Sequence, residues 1–164
     1  MATEPEIPTG KLFVERLIHT SREKVFEAWT NAKSVSQWMR PKGVTAVNAE
    51  LDARVGGELR IFTRGAEGDC EITGEYRVIE PPGKLAFTWS SRDTDLQPTL
   101  VTVELSEDEM EPGCHLTLTH AGFTSPEAVH KHGADWSMML DKLALFEKTK
   151  RKRRSKMARV SRSR

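Results

Sequence analysis

Cys114–Phe123 reads CHLTLTHAGF, and Ser125–Phe146 reads SPEAVHKHGADWSMMLDKLALF. The first segment alternates, with Leu116 and Leu118 on one face, which is the period of a half-buried strand. Gly122 and Phe123 end it. The second segment places Val129, His132, Gly133, Trp136, Met139, Leu140 and Leu143 at helical spacing, an inward stripe running several turns. Ser125 suits the helix cap, Pro126 the first turn, and Glu127 the positive end of the helix dipole. Gly133 costs a helix interior about 1 kcal/mol relative to Ala. It either admits a close neighbour or is tolerated. A final strand feeding a long amphipathic helix, after several hairpins, implies a sheet wrapped round one helix, with room for a cavity between them.

Upstream, Lys11–Ile18 is rich in branched and aromatic residues and reads as the first strand. Thr20-Ser21-Arg22-Glu23 reads as a capping box opening a helix with Val25, Phe26 and Trp29 on one face. Asn31 caps a second short helix carrying Val35, Trp38 and Met39, which Pro41 and Gly43 stop. From Val44 the period changes to two. Strands are expected over Val44–Leu51, Leu59–Thr63, Cys70–Ile79, Lys84–Trp89, Thr99–Leu105 and Cys114–Ala121. Gly56-Gly57, the polar link RGAEGD, Pro81-Pro82-Gly83 and Glu111-Pro112-Gly113 join most of them. Links of hairpin length imply an antiparallel sheet.

The 164 residues suit one domain with a sizeable core, to which four Trp and six Phe contribute. No run approaches the roughly 18 apolar residues of a membrane span, and the acidic start MATEPEIPTGK lacks the features of a signal peptide. Cys70 and Cys114 show no metal or redox spacing, so a reduced, cytoplasmic protein is expected. The net charge of +1 is unevenly spread. Residues 148–164 hold ten Lys or Arg and no acid, whereas residues 1–147 hold 15 Lys or Arg against 24 Asp or Glu. Three pieces follow: an arm over 1–10, a domain over 11–147, and a basic tail over 148–164. The tail is a disordered or frayed helical segment, an arm for a nonspecific anionic partner, or a segment folded back on the acidic body.

The order strand, two short helices, six strands, long helix is that of the helix-grip α+β fold. SREKVFEAWTNAKSVSQWMRPKG, the turn VGGEL at 55–59, GEYRVIEPPGKLAFTW, TLVTVEL, LTLTHAGF and HGADWSMMLDKL together resemble the bacterial AHSA1-like family of the START/Bet v 1-like (SRPBCC) superfamily. The resemblance covers about residues 11–147. It implies a seven-stranded antiparallel sheet gripping the C-terminal helix, with a hydrophobic cavity between. Relatives bind lipids, polyketides, hormones or other apolar ligands, and some are cyclases. The family takes its name from an Hsp90 co-chaperone whose C-terminal domain is similar. That co-chaperone engages Hsp90 through a separate N-terminal domain, for which these residues offer no equivalent. The basic tail is outside the family pattern.

His120 shares strand parity with Leu116 and Leu118, so it faces inward and needs a partner, either structural or ligand-borne. His132 lies one turn before Trp136 on the same helix face, at the exposed helix start or at the cavity. His130 and His132 diverge on a helix, so no metal site is expected. Trp89 shares parity with Leu85 and Phe87. Trp38, Phe62, Tyr76 and Trp136 complete the large candidates for lining. Each is either ordinary core or part of a platform for a flat apolar ligand. Trp38, Trp89, His120, His132 and Trp136 are expected to border one pocket.

No Gly-rich phosphate loop follows a strand, and no nucleophile with a general base is visible. The expectation is a protein that binds a small apolar or aromatic ligand in an internal cavity, with no cofactor and no catalytic residue assigned. The alternatives are a stress- or chaperone-associated interaction module, and a cyclase- or hydrolase-like enzyme using a cavity histidine. A homodimer through an exposed sheet edge or helix is a further possibility.

Overall fold

The structure is a computed structural model that describes residues 10–162, with side chains to Arg159. The expected arm, apart from Gly10, and the last two residues of the tail lie outside the described residues. The elements are β1 (Gly10–Ile18), α1 (Arg22–Thr30), α2 (Ala32–Trp38), β2 (Val44–Leu51), β3 (Glu58–Gly65), β4 (Gly68–Glu80), β5 (Lys84–Trp89), β6 (Thr99–Glu107), β7 (Cys114–Phe123) and α3 (Pro126–Arg162), with a short 3-10 turn over Arg92–Thr94. The seven strands form one sheet in the order β1-β7-β6-β5-β4-β3-β2. Every neighbouring pair is antiparallel. This is the helix-grip α+β architecture that the element order implies.

The period-two strands put one face inward. Leu116, Leu118, Val101 and Val103 are fully enclosed, as are Trp136, Leu140 and Leu143 of α3. Each buried aliphatic side chain of this kind contributes roughly 1.5–3 kcal/mol. Ser125 Oγ accepts a hydrogen bond from Ala128 N at 3.1 Å, so the cap expected for α3 forms. A Cβ added at Gly133 would meet only Leu12 Cδ2, at 4.0 Å. That is ordinary contact, so no close neighbour requires this glycine. The inward stripe also runs further than its apolar residues, because Glu147 is 2% exposed. Its carboxylate accepts from Lys150 Nζ at 3.5 Å.

Two local readings change. The cap of α1 is Ser21, whose Oγ accepts from Lys24 N at 3.3 Å. Glu23 is then the second helical residue, one position short of the capping-box geometry expected from Thr20. The link RGAEGD is mostly strand. Gly65 pairs with Gly68 across a two-residue turn, and Arg64 pairs with Asp69. Gly68 supplies the positive φ of +94° that a tight hairpin needs. Polar residues at the solvent-facing tip of a hairpin resemble a loop in composition alone.

Candidate functional site

The concave face of the sheet is divided. Its interior is packed with aromatic rings, and the end nearest the β3–β4 hairpin is open. There a cleft of about 480 Å³ lies between β2–β4, the end of β5 and the first half of α3. Its apolar lining includes Met39, Val44, Ile72, Trp89, Trp136 and Met139. Gly43, Gly65 and Gly68 line the same space, so three backbone positions there have no side chain to fill it. Depressions of about 510 Å³ and 490 Å³ elsewhere are more open, one on the outside of β2–β4 and one beside the start of α1.

The aromatic wall behind the cleft is continuous. Trp89 and Trp136 have centroids 5.1 Å apart, Trp136 and Trp29 are 5.8 Å apart, and Trp29 meets Trp38 edge-on at 4.7 Å. A hydrogen-bonded chain holds this wall to the sheet. Trp136 Nε1–H donates to His120 Nδ1 at 3.0 Å. His120 Nε2 lies 2.6 Å from Thr99 Oγ1, which is itself 2.6 Å from the Trp89 carbonyl oxygen. A carbonyl only accepts, so the Thr99 hydroxyl spends its proton on Trp89. His120 must therefore donate from Nε2 and accept at Nδ1, which is the neutral imidazole. Burial, with a smaller contribution from the charge of His132, pushes its pKa down to about 3. Both ring nitrogens are occupied, so neither is free for a ligand or a proton transfer.

His132 differs. Its Nδ1 lies 2.8 Å from the Ala128 carbonyl, so Nδ1 carries the proton. Nε2 makes no hydrogen bond among the described residues, and His132 lines the cleft. One turn on, Asp135 also lines the cleft and is half-buried. Its carboxylate forms neither ion pair nor hydrogen bond among the described residues. Burial raises its pKa, Lys131 and His132 pull it back, and Asp93 and Glu67 add to the rise.

The mouth of the cleft is bound by charge. Lys131 Nζ donates to Asp93 Oδ2 at 2.6 Å and lies 3.9 Å from Glu67 Oε2. Arg92 reaches Glu67 at 3.9 Å. Burial opposes the Lys131 charge, but Asp93, through hydrogen bond and charge, and Glu67 outweigh it and raise the Lys131 pKa. Three elements, the β3–β4 hairpin, the 3-10 turn and α3, are thereby joined across the opening.

The sequence pattern described as "Activator of Hsp90 ATPase homolog 1-like protein" matches residues 19–146. The chain belongs to this family. Solved structures repeat its fold. A protein from Rhodobacter sphaeroides has 22% identity and a TM-score of 0.72, covering 85% of this chain and 93% of its own. One from Chromobacterium violaceum has 21% identity and a TM-score of 0.71, covering 82% and 95%. The AHSA1 protein from Silicibacter pomeroyi has 23% identity and a TM-score of 0.70, covering 85% and 99%. At these identities the likeness shows the fold alone. No curated protein matches the chain. Among the described residues, no helix is long and apolar enough to cross a membrane.

Within this AHSA1-like domain the expected site residues fall at different depths. Trp89, His132 and Trp136 line the cleft. His120 sits one layer behind them, with its ring 5.9 Å from Trp89 and 5.3 Å from His132. Trp38 is deeper, donating from Nε1 to the Ala28 carbonyl at 3.0 Å. Tyr76 packs edge-on against Phe87 at 6.0 Å in the core. Burial, and then the charge of Asp52, push its phenol pKa up. Phe62 faces away from the cleft. Leu59 and Ile61 are buried inward, so Phe62 lies on the outer face, in the depression shared with Ala46, Asn48 and Glu71. Met39, Met139, Ile72 and Asp135 line the cleft without having been expected there.

Proposed function

We propose that this protein binds a small apolar or aromatic molecule in the cleft between the sheet and α3. The observation that carries the reading is the cleft itself. About 480 Å³ is within the range of ligand sites, and the enclosed rings of Trp89 and Trp136 form its packed apolar back. Asp135 and His132 Nε2, one turn apart on α3, are the polar anchors. Together they favour a ligand with an apolar ring system and a hydrogen-bond donor directed at the Asp135 carboxylate. The packed interior limits the ligand to the open end of the sheet. A catalytic version would rest on His132 and Asp135, since His120 has no free nitrogen. The family's chaperone association enters as an alternative that the cleft does not require.

The test is titration with N-phenyl-1-naphthylamine, an apolar amine whose emission rises in dry surroundings. Saturable binding is expected, with quenching of tryptophan emission from Trp89 and Trp136. Thr63→Phe places a ring at the cleft from a half-exposed position and should weaken that binding at least tenfold. No saturable signal with the probe, or an unchanged signal in the folded Thr63→Phe variant, would reject the reading.

A further inference from the structure

We propose that the basic end of α3 is a helical arm that binds duplex DNA through its phosphate backbone. Helix α3 runs unbroken from Pro126 to Arg162, well past the body of the domain. Between residues 148 and 159 it carries Lys148, Lys150, Arg151, Lys152, Arg153, Arg154, Lys156 and Arg159, and no acid. From Arg151 to Arg159 every side chain is exposed. The contacts of this stretch with the body are slight. Lys150 meets Glu147, and Arg151 Nη1 reaches the His19 carbonyl at 3.5 Å. Among the described residues, no other tail cation forms an ion pair. The helix therefore does not fold back on the acidic body.

The arrangement of the charges selects the partner. At 100° per residue, Lys148, Lys152, Lys156 and Arg159 fall within an arc of about 80°. Lys150 and Arg154 fall on the opposite side, and Arg151 and Arg153 lie between the two rows, one on each flank. A helix of about 10–12 Å diameter with cations along both flanks fits a B-form major groove about 12 Å wide, between two phosphate walls. The twelve residues span roughly 18 Å, which gives a charge about every 2 Å, close to the charge spacing of a duplex. The deep, narrow major groove of A-form RNA does not admit such a helix. A membrane-surface helix needs an apolar face. Here the exposed large apolar residues Leu145 and Met157 lie about 120° apart around the axis. The absence of aromatic rings removes base stacking on single strands. Repulsion between Lys148, Lys152 and Lys156 at four-residue spacing opposes the helix in isolation. Phosphates along the same face would relieve it.

Binding is thus independent of sequence and sensitive to salt. The experiment is fluorescence anisotropy of a labelled 20-base-pair duplex with the full chain, at 50 to 200 mM salt. Engaging four to six phosphates gives a slope of log K against log salt of about −3.5 to −5.5, a loss of roughly 10²–10³-fold over that range. A variant with Lys148, Lys152, Lys156 and Arg159 all changed to Gln should lose most of the affinity. Its far-UV circular dichroism and its N-phenyl-1-naphthylamine binding should stay unchanged, which separates this proposal from the cavity reading. No duplex binding at 50 mM salt would overturn the proposal. So would equal binding by the folded quadruple variant, or stronger binding to phosphatidylserine vesicles than to the duplex.

Discussion

Neutral His120 makes the fold sensitive to acid. An unperturbed histidine titrates near 6.5, whereas burial holds this one at about 3. Between these values the unfolded chain binds a proton that the folded chain refuses, so stability rises with pH across the window. The contribution is fully present above about pH 6.5 and declines as pH falls towards 3. From pH 7 to pH 5 the loss amounts to about 2 kcal/mol, taking 1.36 kcal/mol per pH unit. His120 has no solvent exposure, so solvent screening takes little from this figure. For a chain of this size the melting temperature should fall by about 4–8 °C from this group alone. Urea unfolding of the wild type and of His120→Gln at pH 7, 6 and 5 isolates the effect. The variant should be less stable at pH 7, with a deficit that shrinks by about 2 kcal/mol at pH 5. Parallel pH slopes for the two proteins, or an NMR titration of the His120 ring near pH 6.5, would refute the argument.

Thr99→Val leaves His120 Nε2–H without its acceptor in the interior, and should cost about 1–3 kcal/mol by urea unfolding. Gly133→Ala has room for its methyl group and should gain up to about 1 kcal/mol, read as a melting temperature higher by about 2–4 °C. Gly74→Ala should do the reverse, because its Cβ would meet the Thr88 carbonyl oxygen and its carbon at 2.9 Å; thermal melting should show loss of the native transition or a fall of many degrees. Under native conditions at pH 7.5, iodoacetamide should label half-exposed Cys70 at the cleft. It should spare Cys114, which is fully buried and whose thiol burial pushes up to about 11; mass spectrometry of peptides reads both, and an apolar amine in the cleft should slow labelling of Cys70.

Much of this fold is legible in side-chain period. Thr99–Leu105 and Cys114–Ala121 alternate, and α3 carries its stripe at helical spacing, because burial on one face constrains every second or every third to fourth residue. The errors fall where local chemistry is degenerate. Thr20 and Ser21 are both good caps, and only the backbone turn decides between them. Arg64–Asp69 is polar because the solvent-facing tip of a hairpin meets water, which composition cannot distinguish from a loop. In the site, parity reports the face and not the depth. His120, Trp89 and Trp136 all point inward, yet His120 is covered by the other two. Phe62 is the opposite case: its bulk suggested a lining role, but Leu59 and Ile61 on either side of it already assign it to the outer face. Asp135 leaves little signal, since an acid one turn after Lys131 reads as part of a solvated ion-pair face.

The position of the cleft follows from how the bulky residues are distributed. All four tryptophans occur in α1, α2, β5 and α3, the elements that meet over the middle of the sheet. Their rings touch in one series and leave little volume between helix and sheet there. The far end of the sheet, by contrast, is built from Gly43, Gly65, Ala66 and Gly68. A Cβ at Gly65 would collide with the Gly43 carbonyl oxygen, so the start of β2 and the end of β3 approach closely only because that position is glycine. The same glycine that permits the approach provides no side chain to fill the space above it. Packing density comparable to the rest of the interior cannot be reached at this end without a larger residue or a bound molecule. The family fold accounts for the container, and the placement of tryptophan and glycine within it accounts for where the container is open.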